Sequence, residues 1–138
     1  PDLNHLSPLS ASLRELHIKA YGMHKVENLP NQIQHLRELR SLEIRYFKNL
    51  EALPEWLGKL TSLEALTLVR LPLIEHLPSQ AAMECLSQLM ALDVSSCLRL
   101  GKACRTPNGS EWFKIQKIHH VKFRPSCLEE VADMEFDH

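Results

Sequence analysis

The sequence predicts an α/β solenoid, with a parallel sheet on its concave face and short helices, 3-10 turns and loops on its convex face. Three observations support this fold class. An apolar motif recurs every 24 to 29 residues, a Leu-Pro step recurs between its copies, and the two patterns keep a constant phase. Such periods are typical of repeat proteins, in which each unit buries its apolar residues against its neighbours. We therefore predict a single domain over residues 1–138.

The apolar motif is L-x-x-L-x-L, which predicts one strand in each repeat. Four copies and a fifth, weaker one begin at Leu13, Leu39, Leu63, Leu89 and Ile118. The last residues of each copy alternate between apolar and polar, as in a short strand with one buried face. The predicted strands, paired in parallel with their equivalents, lie near residues 15–19, 41–45, 65–69, 91–95 and 120–124.

The Leu-Pro step predicts a turn that leads into the outer segment of each repeat. It occurs at Leu29-Pro30, Leu53-Pro54 and Leu77-Pro78, at intervals of 24 residues. Proline suits a turn or the first position of a helix. After the second copy, Leu57 and Leu60 share one side of the segment with Leu53. We expect a short helix or 3-10 turn there, with its leucines in the shared core.

Two residues of that outer segment do not follow the leucine pattern. Gly58 costs about 1 kcal/mol relative to alanine in a helix. We interpret it as tolerated, because a segment held by stacking need not be a good helix former. Trp56 lies off the leucine face, so we expect it to cover the outer surface, where it could contact a neighbouring domain.

Alternation along the strands also assigns the residues of the concave face. One predicted column contains His17, Glu43, Thr67, Asp93 and Lys122. The next contains Lys19, Arg45, Val69, Ser95 and Arg124, with Tyr46 and Arg70 beside them. This mixed-charge face is either a solvated sheet kept soluble by cross-strand pairs or a surface that binds a protein. For the second interpretation the first candidates are Arg45, Tyr46 and Arg70, because arginine and tyrosine are favoured interface anchors.

Composition argues against several classes of function. The formal net charge is −1, whereas nucleic-acid and anionic-membrane binders carry a basic excess. The apolar runs are too short for a membrane span. Only four glycines are present, and none forms a phosphate-binding loop. We therefore expect no enzymatic activity and no small-molecule substrate.

Cysteine and histidine give no metal or catalytic pattern. The four cysteines are Cys85, Cys97, Cys104 and Cys127, and their spacings match neither a zinc site nor a small disulfide scaffold. We expect buried free thiols, with Cys97 capping the turn after its strand from inside. The pair His119-His120 alternates across a strand, so only one of the two rings should face outward.

These motifs resemble leucine-rich repeats from Leu13 to Phe123. The stretch LRSLEIRYFKNLEALPEWLGKLTSLEALTL is similar to the C-terminal repeats of plant intracellular nucleotide-binding leucine-rich-repeat immune receptors. SSCLRL, with Cys97 in the usual asparagine slot, and the ending CRTPNGSEWFKIQKIHHVKF are also similar to that family. The first three repeats depart from it, because Tyr21, Phe47 and Leu71 fill the slot. An irregular stack is therefore expected.

The resemblance implies a horseshoe fragment that recognises a pathogen effector or a host target. It also implies a contribution to the autoinhibition of a nucleotide-binding switch upstream, where ADP or ATP would bind; no cofactor is expected in this chain. The implied partners are proteins, including other domains of the same receptor, and the implied location is cytoplasmic or nucleocytoplasmic. Two alternatives stay open, since Leu-Pro steps occur elsewhere: a scaffold for a small GTPase or kinase, and the substrate-recognition part of a ubiquitin ligase.

Both ends of the chain carry separate expectations. Leu3, Leu6 and Leu9 resemble the outer part of a preceding repeat, which would leave the strand near Leu16 as an open edge. We therefore expect the chain to need an upstream repeat or a partner for solubility. Residues 128–138 contain five acidic residues and neither lysine nor arginine, which predicts a flexible acidic tail. Docking of that tail on the arginine-bearing column is the alternative.

Overall fold

A computed structural model describes residues 12–20 and 28–124, and a five-stranded parallel sheet forms its centre. The strands are β1 (Glu15–Lys19), β2 (Ser41–Arg45), β3 (Ala65–Val69), β4 (Ala91–Ser95) and β5 (His120–Arg124). Their order in the sheet is their order in the chain. Every connection therefore advances by one strand, which confirms the predicted solenoid. The N-terminal leucines, Tyr21 and the acidic tail lie outside the described residues.

The strands pair without any offset between repeats. Leu42 lies opposite Leu16 on one side and Leu66 on the other, and Leu92 continues the row to Val121. Because side chains alternate between the two faces of a strand, equal register keeps every apolar position on the same face. The unequal intervals of 26, 24, 26 and 29 residues between the motif copies therefore do not disturb the sheet.

The proline-led segments form the convex side. The first two form 3-10 helices, Asn31–His35 and Glu55–Lys59, and the third forms the α-helix α1 (Gln80–Cys85). Ser79 explains this difference, because its side chain accepts a hydrogen bond from the Ala82 amide at 3.2 Å and caps α1. The long segment between β4 and β5 contains α2 (Leu98–Arg105) and a further 3-10 helix, Trp112–Ile115.

The core lies between the sheet and the convex segments. Leu53, Leu57 and Leu60 are at most 3% exposed, as the leucine pattern predicts. The slots after β2, β3 and β4 are also buried, with Phe47 3%, Leu71 0% and Cys97 3% exposed. Burial weakens at the last strand, where Val121 and Phe123 are only partly covered. This follows from position, because β5 has one neighbouring strand in the described part of the chain.

The outer segment around Gly58 corrects one expectation. Trp56 is half-buried and packs against the outside of the core, and its contact with a neighbouring domain stays a prediction. Gly58 is buried and lies against Ala82 of the next repeat. A Cβ there would lie 2.9 Å from the Ala82 carbonyl oxygen and 3.1 Å from the Ala82 Cα. The glycine is therefore required by the close approach of two repeats, and the interpretation that it is merely tolerated is wrong.

We expect Gly58→Ala to destabilise the protein by about 1–3 kcal/mol, because the new methyl group must push two repeats apart. Helix propensity alone predicts the opposite sign, a gain of about 1 kcal/mol. Urea denaturation gives the change in the free energy of unfolding. Lys59→Ala, at an exposed position of the same 3-10 helix, is the control and should change stability by about 0.5 kcal/mol or less. A stabilised Gly58→Ala protein would disprove the packing argument.

Candidate functional site

The structure brings the predicted concave residues onto one face of the sheet. The strand register gives one column with His17, Glu43, Thr67, Asp93 and Lys122. It gives a second column with Lys19, Arg45, Val69, Ser95 and Arg124. All ten side chains are exposed or half-buried, whereas the residues between them face the core. That these residues bind a partner stays a prediction.

Tyr46 and Arg70 lie just beyond these columns, and their backbones are unusual. They follow β2 and β3 directly with φ values of 62° and 54°, and Ser96 follows β4 with a φ of 60°. This left-handed region disfavours residues other than glycine by about 1–2 kcal/mol. The repeat stack compensates: the Tyr46 amide donates to the Val69 carbonyl at 3.0 Å, and the Arg70 amide donates to the Ser95 carbonyl at 2.9 Å. Each strained turn is thereby fixed by the next strand.

Glu43 is the centre of a charged cluster on β1 and β2. Its Oε2 lies 2.6 Å from Arg45 Nε and 3.1 Å from His17 Nδ1. Partial burial raises the pKa of the Glu43 carboxyl, but the hydrogen bonds from Arg45 and His17 outweigh burial and hold that pKa below its ordinary value. Glu43 is therefore an anion at neutral pH, and Arg45 neutralises it.

A second pair lies at the other end of the face. The Asp93 Oδ2 atom on β4 lies 3.2 Å from Nη2 of Arg124 on β5. The second carboxylate oxygen, Oδ1, is buried and has no hydrogen-bond donor among the described residues. Lys122 lies opposite Asp93 in the register and makes no ion pair in the described part of the chain. The two acids of the column, Glu43 and Asp93, are thus each paired with an arginine.

The described cysteines differ in burial and in contacts. Cys97 caps its turn as predicted, since its Sγ donates to the Ser95 carbonyl at 3.3 Å and lies 3.7 Å from the Leu68 carbonyl. Burial raises the pKa of the Cys104 thiol to about 12, so that thiol is protonated at neutral pH. Cys85 is exposed, which contradicts the expectation of a buried thiol. Cys127 lies outside the described residues.

Metal-binding clusters and membrane-spanning helices are absent from the described residues. No group of three or more His, Cys, Asp or Glu side chains in residues 12–20 and 28–124 could hold a metal ion. His119 and His120 are both exposed, so the expectation that only one faces outward is wrong, because His119 precedes the regular strand. Within these ranges no helix has the length and apolar character needed to cross a membrane.

Sequence patterns missed a buried carboxylate on the convex side. Glu111 is 1% exposed and accepts four hydrogen bonds. Its donors are the Leu77 amide at 2.7 Å, Ser110 Oγ at 2.8 Å, Lys114 Nζ at 2.9 Å and His76 Nδ1 at 3.3 Å. Burial raises the Glu111 pKa, but the hydrogen bonds from Lys114, Leu77, Ser110 and His76 outweigh burial and lower it. The Glu111 carboxylate is therefore ionised and fully partnered.

Glu111 also accepts the last hydrogen bond in a series that joins neighbouring repeats on the convex side. One repeat earlier, Ala52 and His76 form a parallel bridge, and the Leu53 amide donates to the His76 carbonyl at 2.9 Å. The equivalent amide, that of Leu77, has no such carbonyl, because the next repeat forms α2 at this point. The Glu111 carboxylate takes the place of that carbonyl and accepts the hydrogen bond from the Leu77 amide. The one feature of the sequence that could have indicated this site is that Glu111 stands three residues before Lys114, in the longest interval between motif copies.

Comparison with known proteins identifies the first half of the chain. A family model described as R13L1/DRL21 LRRs matches residues 3–71, which is half of the 138 residues. The match ends two residues after β3, and the same register continues through β4 and β5. A search of the curated proteins finds no match.

Proposed function

Because the chain belongs to the R13L1/DRL21 leucine-rich-repeat family of plant disease-resistance proteins, we propose that it is the recognition segment of an intracellular immune receptor. Leucine-rich repeats of this family form a protein-recognition module. In our proposal the segment senses a pathogen effector or a host target. It also helps to keep an upstream nucleotide-binding switch inactive, in the cytoplasm or in both cytoplasm and nucleus.

The observation that carries the proposal is the continuous concave face. Five strands pair with no offset, so their outward residues form unbroken columns across all repeats. At about 4.8 Å between strands, the face is about 19 Å wide. Small molecules favour clefts that enclose most of their surface, whereas a shallow sheet of this width fits a segment of another protein.

Tyr46 and Arg70 are the strongest candidates for anchors on this face. They are adjacent in the register, since each directly follows its own strand. Strained backbone that the surrounding structure maintains is a reason to suspect function. Tyrosine and arginine are also the residue types that most often dominate binding energy. The two side chains therefore combine position, backbone strain and chemistry.

We expect the double variant Tyr46→Ala/Arg70→Ala to weaken association with the upstream nucleotide-binding segment or with the recognised protein by roughly 30-fold, since one hot spot is worth about 2 kcal/mol. Co-precipitation from leaf tissue that expresses the complete receptor measures this association. The same tissue reports cell death, which should start without a pathogen if the lost contact was inhibitory. Cell death in response to the pathogen should be absent if the lost contact served sensing.

Lys59→Ala is the matched control, because Lys59 is an exposed cation on the convex 3-10 helix, where it bonds Gln34 at 3.0 Å. This variant should behave as the wild type in both assays. If the double variant also retains association and both responses, the concave face is not the recognition surface and the proposal fails.

A further inference from the structure

The charges of the concave face are paired unequally. Glu43 is neutralised by Arg45 on its own strand, and Asp93 is neutralised by Arg124 on β5. Glu43 and Asp93 thus each have a cation within 3.2 Å. Glu15, at the outer corner on β1, is the remaining acid on the described face. The interior of the face therefore offers no unpaired negative charge to a partner.

The cations are in excess on the same face. Lys19, Arg70 and Lys122 are exposed, and none makes an ion pair with another described residue. Arg70 follows β3 and Lys122 lies on β5, so the two are two strands apart. Two strand spacings are about 10 Å, and Arg70 is also three residues beyond Thr67, the residue level with Lys122, so the two Cα atoms are about 14 Å apart, roughly four residues of an extended chain. The face thus presents two unpaired cations at a peptide-like distance.

Small side chains lie beside these cations on β3 and β4, and Asp93, paired with Arg124, is next to Lys122. Thr67 and Val69 on β3 and Ser95 on β4 are half-buried, and none is larger than valine. The neighbouring outward positions, Ala65 and Ala91, are alanines. We call these five residues the trough. A bulky side chain from a partner can lie over the trough, beside the Asp93–Arg124 ion pair.

Resting on the proposed function, we propose that the concave face selects a separate protein through an extended segment with a central apolar side chain flanked by carboxylates. The apolar side chain lies over the trough, and carboxylates about four residues apart meet Arg70 and Lys122. A basic segment would bring like charges against all three unpaired cations, which disfavours it. The acidic segment gains two new ion pairs, since Glu43 and Asp93 are each already paired with an arginine.

The test uses a random peptide library displayed on phage as the probe, with the full chain as bait. Wild type should enrich peptides with Asp or Glu on both sides of Phe, Leu or Met. The charge-reversed variant Arg70→Glu/Lys122→Glu should bind the best wild-type peptide at least tenfold more weakly and should enrich Lys and Arg instead. Because Lys122 lies opposite Asp93, the reversed charge should lower the urea midpoint only slightly, so the variant should remain folded in the assay. Binding by wild type should also weaken as salt rises.

A second variant separates this inference from the proposed function. Thr67→Trp/Val69→Trp fills the trough and should abolish peptide binding. If filling abolishes binding but charge reversal leaves the selected peptides unchanged, the concave site stands and the acidic preference is overturned. If filling has no effect, the site itself is overturned, and the inference falls with it.

A third variant tests whether the chain occupies its own face. The five acids of residues 128–138 have the chemistry that the face selects, so they are changed together to Asn and Gln. Unchanged selection by this variant supports a separate partner. If wild type enriches nothing and this variant enriches acidic peptides, the occupant is the C-terminal segment and the proposal is overturned. It is equally overturned if neither protein enriches any peptide.

Discussion

Replacing Glu111 with alanine should destabilise the protein by about 3–5 kcal/mol, the usual cost of removing one partner from a buried ion pair. The Glu111 side chain is 1% exposed, and the side chain of its partner Lys114 is 13% exposed. Without the carboxylate, Lys114 is left as a poorly hydrated cation and the Leu77 amide loses its acceptor. Urea denaturation followed by circular dichroism measures the free energy of unfolding.

Two controls separate this loss from a general effect of removing charge. Glu75→Ala removes an exposed pair with Arg99 at 3.2 Å and should cost about 1 kcal/mol or less. Glu111→Gln keeps an oxygen for the Leu77 amide but not the charge for Lys114, so its cost should lie between the other two. Equal losses for Glu111→Ala and Glu75→Ala would show that the buried carboxylate has no special role.

The same residue sets a pH dependence. The folded state holds the Glu111 pKa below the ordinary value of 4.5. The folded carboxylate therefore binds its proton less readily than the unfolded one, and the unfolded state takes up more protons on acidification. Stabilisation by Glu111 is fully present above about pH 5 and is lost as pH falls through the lowered pKa. The difference in stability between wild type and Glu111→Gln should thus shrink in acid, and a constant difference would contradict the ionised state.

Leu68→Ala should have an effect of similar size, about 2–5 kcal/mol, through a cavity in the core. Leu68 is 0% exposed and lies on the central strand β3, between Ile44 and Val94 in the register. Neighbours on both sides are fixed by strand pairing, so the site cannot collapse onto the missing atoms. The same denaturation experiment gives the loss.

Thr67→Ala is the matched control, because Thr67 is the preceding residue on the opposite face of the same strand. It should cost about 1 kcal/mol or less, the range of strand propensity. Comparable losses at Thr67 and Leu68 would mean that the two faces of β3 are equally buried, contrary to the structure.

Periodicity was sufficient to predict the sheet. A strand's side chains alternate, so an apolar motif repeated in constant phase predicts both the buried face and the register. The columns from His17 to Lys122 and from Lys19 to Arg124 follow from that argument and agree with the observed pairing. The slot residues Phe47 and Cys97 were predictable for the same reason.

Contacts between repeats could not be predicted in this way. The sequence around Gly58 contains nothing about Ala82, which lies 24 residues further on and whose carbonyl oxygen would be 2.9 Å from a Cβ at position 58. Glu111 belongs to an insertion that has no equivalent in the other repeats, so no period locates its partners 34 and 35 residues earlier. The pairing of Glu43 with Arg45 also depends on side-chain geometry, since His17 and Arg45 are both within reach.

The sequence by itself determined the fold class, the strands, the inward and outward positions and the resemblance to plant immune-receptor repeats. These properties depend on the identity and period of single residues, which a chain of repeats displays directly. Only the tertiary structure decided which charges on the concave face are paired, why Gly58 must be glycine and how Glu111 ends the convex hydrogen-bond ladder. Each of these depends on the distance between atoms from different repeats, and a linear pattern does not contain distances.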